Sequence, residues 1–102
     1  MKNDTVWREE LARVIAPAFA ANPHIETVFI FGSVARGWAD RYSDIELGAV
    51  WSQTPTEEEL QTAALDAGAE RWEIAPYNTA KQSRSIMFYV QGVRIETAGR
   101  LR

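Results

Sequence analysis

Residues 31–51 read FGSVARGWADRYSDIELGAVW, and the reading of this stretch decides the fold. Its second half, DIELGAVW over residues 44–51, alternates. Ile45, Leu47, Ala49 and Trp51 fall on one side, and Asp44, Glu46, Gly48 and Val50 on the other, the period of two that belongs to a β-strand. Its first residue closes another run, IETVFIF over residues 25–31, rich in β-branched and aromatic side chains. Apolar residues of both parities at 28–31 predict a strand buried on both faces. Gly32-Ser33 ends that strand, and residues 34–37 leave room for at most a helical turn.

Upstream, Trp7, Leu11, Val14, Ile15, Ala18 and Phe19 recur at helical spacing, so residues 6–21 predict an amphipathic helix. Asp4 or Thr5 suits its N-cap. Pro17 predicts a kink or break, and Asn22-Pro23 the end. Downstream, Thr54-Pro55-Thr56 before Glu57-Glu58-Glu59 marks a second helix start. Both Thr54/Glu57 and Thr56/Glu59 fit a capping box, and Pro55 as first helical residue favours the earlier register. The acidic first turn suits the helix dipole, and Gly68 ends the helix. Residues 71–74 form a short strand, and residues 86–90 and 93–97 a hairpin about Gln91-Gly92. The order is helix, strand, strand, helix, short strand, hairpin. It predicts an α/β (α+β) domain, a mixed β-sheet with helices packed on it.

The whole chain fits that plan. One hundred and two residues suffice for a single domain over 1–102, with no internal repeat or low-complexity stretch. Apolar residues at 46% and charged residues at 25% are ordinary for a globular chain. A net charge of −3 argues against a broad nucleic-acid-binding face. The absence of cysteine excludes disulfides, thiolate zinc sites and cysteine nucleophiles, and suits a cytoplasmic location. No apolar run approaches a membrane span, and the acidic start (MKNDTVWREE) is not that of a signal peptide.

Chemistry concentrates in residues 31–51. Period two sets Asp44 and Glu46 on one face with Cα atoms about 6.5–7 Å apart. Such carboxylates repel unless a cation lies between them. Their hard oxygens suit Mg²⁺ or Mn²⁺, and paired ions about 3.5–4 Å apart can be bridged from such a strand. Gly32 lets a ligand approach the backbone, whose following N–H groups can meet a phosphate. Ser33 adds a hydroxyl, Arg36 a forked cation, and Ser43 shapes the loop before the acids. Phosphate donors followed by metal-binding acids suit phosphoryl or nucleotidyl transfer.

Gly32-Ser33, ten intervening residues, then Asp44-Ile45-Glu46 between apolar residues resembles the signature of the DNA polymerase β-like nucleotidyltransferase superfamily. The whole stretch is similar to its small bacterial and archaeal members, including aminoglycoside and minimal nucleotidyltransferases. The tight resemblance covers about 21 residues. It implies the nucleotidyltransferase fold and a two-metal mechanism. Gly32 and Ser33, with Arg36 and Ser43 nearby, would bind the nucleotide, ATP or another NTP. Asp44, Glu46 and a third acid would hold two Mg²⁺ ions, with Mn²⁺ as a substitute. An acceptor hydroxyl would then take the nucleoside monophosphate. The resemblance favours Glu96, between apolar residues on the second hairpin strand, as that third acid, with Glu73 the alternative. Relatives often continue into a helical domain, so the chain reads as a minimal enzyme or as the catalytic half of a longer one. Alternatives within the fold are an antitoxin that binds or adenylylates a helical toxin partner, and a nucleotide-binding module without turnover.

Other residues have plainer readings. His24 is a surface histidine with no ligating partners. Trp7, Trp51 and Trp72 fall at core-facing positions. Trp38, with Arg41 and Tyr42 in the connector, either packs the loop or stacks on a substrate ring. A Ser-His-Asp hydrolase and a Walker phosphate loop both lack their motifs.

Overall fold

The computed structural model describes residues 4–32, 37 and 44–101. Helix α1 spans Asp4–Ala20, strand β1 Ile25–Phe31, β2 Ile45–Trp51, helix α2 Glu57–Asp66, β3 Arg71–Ile74, β4 Ser83–Val90 and β5 Val93–Leu101. The expected element order therefore holds among the described residues. The strands form one sheet in the order β1-β2-β5-β4-β3. β2 and β5 run parallel at its centre, and the other neighbours are antiparallel. This is a mixed sheet, as the element order predicts.

Both helices lie on one face of that sheet. Ile15 and Phe19 of α1 and Leu60, Ala63 and Ala64 of α2 are buried with Ile45, Leu47, Ala49, Trp51, Ile86, Phe88, Val90 and Ile95. The Phe19 and Phe88 rings stack with centroids 5.7 Å apart. Truncating either ring to alanine would cost about 3–5 kcal/mol. The opposite face, which carries Asp44 and Glu46, is covered by neither helix. Among the described residues no helix is long and apolar enough to cross a membrane.

Several local expectations change. The buried stripe of α1 is Arg8, Ala12, Ile15 and Phe19, while Val14 is 72% exposed. Small Ala12 lets the helix approach the sheet. Arg8 stays buried by laying its guanidinium over the Trp7 ring and donating to the Asp4 carbonyl. Pro17 does not break α1. The bond it forgoes belongs to Arg13, one turn earlier, and both residues are exposed, so water can satisfy the carbonyl. The second helix uses the later capping box. Thr56 Oγ1 accepts from Glu59 N at 3.1 Å, and Glu59 Oε1 accepts from Thr56 N at 3.1 Å. Pro55 instead lies before the helix, where its carbonyl accepts from Arg84 Nη1.

β1 is not buried on both faces, because it forms a sheet edge. Val28 and Ile30 face the core, whereas Phe29 and Phe31 are exposed on the open side. Of the three tryptophans expected inside, Trp51 is fully buried, Trp7 half-buried and Trp72 exposed on edge strand β3. The hairpin is longer than its alternating core, and Gln91 and Gly92 turn with φ of 52° and 76°. Two positive φ values are what the type I′ connection requires.

Candidate active site

Strand alternation builds the site from the open face of the two central strands. The parallel register pairs Ile45 with Ile95 and Glu46 with Glu96. Partners in a ladder project to the same face, so the Glu46 and Glu96 side chains stand side by side. Asp44 precedes the first of these pairs by one residue and lies alongside Arg94. The structure thus places Asp44, Glu46 and Glu96 on one face of neighbouring strands, although the outermost two are fifty-two residues apart in sequence.

Arg94 joins them. Its Nη1 donates to Asp44 Oδ2 at 2.7 Å and makes a longer 3.4 Å contact with Glu96 Oε2. The Asp44 hydrogen bond, against some desolvation, pushes the guanidinium pKa above its already high ordinary value. Sequence reasoning passed over Arg94. Its signal was its place two residues before Glu96, which puts both on one face of the strand.

Glu73 stands farther off. The register runs Glu46, Glu96, Met87, Glu73 across four strands. At about 4.8 Å per strand, Glu73 lies roughly 10 Å beyond Glu96. Glu73, Ser85, Met87, Arg94 and Glu96 border a shared hollow of about 260 Å³.

Gly32, just past the end of β1, has φ of +76°. A Cβ there would run into the Glu46 carboxylate, with Cδ 2.9 Å away. The backbone conformation favours glycine, and any side chain there would also displace the Glu46 carboxylate. The remaining nucleotide-binding candidates, Ser33, Arg36 and Ser43, lie outside the described residues, as do Trp38, Arg41 and Tyr42.

Among the described residues no three His, Cys, Asp or Glu side chains converge as a metal-binding group. The contacts explain this. Arg94 takes oxygens of Asp44 and Glu96, while the Glu46 carboxylate folds against Gly32. The donor set, all carboxylate oxygens on an open sheet face, still fits a hard divalent cation once Arg94 yields.

Further along the same face lies a larger hollow of about 750 Å³. Phe29 and Phe31 form one side, Gly48 and Ala98 the floor, and Lys81 and Arg100 border it. Gly48 is needed here, because a Cβ would overlap the Phe29 ring.

Comparison with known proteins agrees with this architecture. The sequence profile of the family described as "Polymerase beta, Nucleotidyltransferase" matches residues 13–90. Among curated proteins none matches the chain significantly. Among solved structures, the Cid1 poly(U) polymerase superposes with a TM-score of 0.59 at 16% identity. The match covers 91% of this chain and 29% of that one, so the chain spans less than a third of that polymerase's length. At this identity the likeness speaks to the fold, which is the nucleotidyltransferase fold.

Proposed function

The chain belongs to the polymerase beta nucleotidyltransferase family, and from that premise we propose that it transfers a nucleoside monophosphate, AMP from ATP, to an acceptor hydroxyl. The observation that carries this reading is the registration of Glu46 with Glu96 beside Asp44 on the uncovered face. Acids set this close on one face repel one another unless a cation lies among them, and in the metal-free protein Arg94 fills that place for Asp44 and Glu96.

In this reading Asp44, Glu46 and Glu96 would hold two Mg²⁺ ions, or Mn²⁺ in their place. When bound, the ions neutralise phosphate charge and lower the pKa of the attacking hydroxyl. Gly32 and Ser33 receive the β- and γ-phosphates through backbone N–H groups and the serine hydroxyl, and Arg36 adds a forked cation. The acceptor oxygen forms a bond to the α-phosphorus as the bond to the β-phosphate oxygen breaks. The electron pair leaves with pyrophosphate. In this reading Glu96 would take the hydroxyl proton.

Calorimetry of ATP binding tests this. Binding should depend on Mg²⁺ and be lost in Asp44→Ala and Glu46→Ala variants that melt as the parent does. Equal ATP affinity with and without Mg²⁺ would favour a nucleotide-binding module without turnover and overturn the proposal.

A further inference from the structure

Arg94 sits where the function just proposed places a metal ion. It shares the open face with Glu96, two residues on along β5, and one nitrogen, Nη1, serves both Asp44 Oδ2 and Glu96 Oε2. A single positive centre held by two carboxylates from different strands is bound by the same oxygens a divalent cation would use. Nothing in the core depends on it staying there. The three side chains are each more than a third exposed, and the hollow beside Met87 and Ser85 gives the guanidinium room to swing aside. Another cation of the open face, Arg71, is stacked on the Tyr89 ring, 4.1 Å from the centroid.

We infer that Arg94 is a resident counter-ion: it holds the acids together in the metal-free protein, is displaced from Asp44 when a divalent ion binds, and so sets the metal affinity of the site. The inference rests on the reading of Asp44, Glu46 and Glu96 as metal ligands. It assigns to Arg94 a positioning role and no part in the chemical step.

Mn²⁺ titration of the intact chain, following free Mn²⁺ by electron paramagnetic resonance, tests it without reference to turnover. Arg94→Gln should bind Mn²⁺ about fivefold more tightly than the parent, the loss of a competing ion pair worth about 1 kcal/mol. Arg94→Lys, which keeps the charge, should stay near the parent. Arg100→Gln, on the same strand and face but six residues away, should leave the affinity unchanged and so exclude a general effect of net charge. Metal-free Arg94→Gln should also melt below the parent and recover more on adding Mn²⁺. Affinity equal to or weaker than the parent in Arg94→Gln, with Asp44→Asn still weakened, would overturn the counter-ion role and leave the acids as ligands. Asp44→Asn binding Mn²⁺ as well as the parent, or no binding by parent and Arg94→Gln alike, would overturn the ligand assignment and the inference with it.

Discussion

Glu46 and Glu96 face each other across the parallel β2–β5 pair, whereas Glu73 lies on the edge strand β3; the proposed function therefore takes Glu96 as its third carboxylate. Glu73 is separated from Glu96 by the whole width of β4. At saturating Mg²⁺, Glu96→Gln should lower nucleotidyl transfer at least roughly a hundredfold, whereas Glu73→Gln should stay within about threefold. Single-turnover rates on the two variants check this, and a dead Glu73→Gln beside an active Glu96→Gln would reverse the assignment.

Gly32 links the turn to the acids. With φ of +76° and the Glu46 carboxylate against its α-carbon, it could take a side chain only with backbone strain and a shift of Glu46. Gly32→Ala should lose about 1–2 kcal/mol in urea unfolding from backbone strain alone. It should also weaken Mn²⁺ binding, because Glu46 must move. A variant as stable as the parent, binding metal equally, would remove the coupling between turn and acid.

Thr97 is an unused opportunity for stability. It is 1% exposed on the helix-covered face of β5, and among the described residues its Oγ1 has no hydrogen-bond partner. Thr97→Val keeps the shape and removes a buried hydroxyl that gains nothing, so it should stabilise the fold by about 1 kcal/mol. Thermal and urea unfolding of the variant give the sign directly.

Glu59 ties the second helix to the end of the first. Its carboxylate accepts from Asn22 Nδ2 and from Thr56 N. Those bonds, the Asn22 bond foremost, hold its carboxyl below the ordinary glutamate value of 4.5. A depressed folded pKa means the contribution is whole above that value and is lost as the pH falls below it through the folded pKa. Glu59→Gln should therefore be less stable than the parent by about 1 kcal/mol at neutral pH. The gap should close as the pH drops below 4.5. Urea titrations of both proteins at a series of pH values follow it, and a gap that persisted undiminished in acid would contradict the charge-dependent role.

Much of this was legible in sequence because it is periodic or stereochemical. The alternation of residues 44–51 identified the face that carries Asp44 and Glu46, and Gln91-Gly92 announced its turn through the backbone conformations it allows. What depends on neighbours was not legible. The Phe29 and Phe31 side chains are as apolar as core residues, and only the sheet order reveals that β1 is an edge. Thr54 and Thr56 both fit a capping box by sequence alone, and the contact of Arg84 with the Pro55 carbonyl, from twenty-nine residues away, is one the local sequence does not show. Arg94 was visible as a letter, but its contact with Asp44 exists only through the parallel pairing of β2 with β5. The preference for Glu96 over Glu73 likewise came from likeness to a family, and sheet order supplies the physical argument that adjacency to Glu46 favours it.

The central claim is that Asp44, Glu46 and Glu96 clamp divalent ions against a nucleotide. Crystals soaked with Mn²⁺ and a nonhydrolysable ATP analogue, with anomalous scattering measured at the manganese edge, address it most directly. The account predicts anomalous density in contact with the Asp44 and Glu46 carboxylates, next to the triphosphate, with the Arg94 guanidinium moved off Asp44. Bound nucleotide with no manganese at those carboxylates would contradict it.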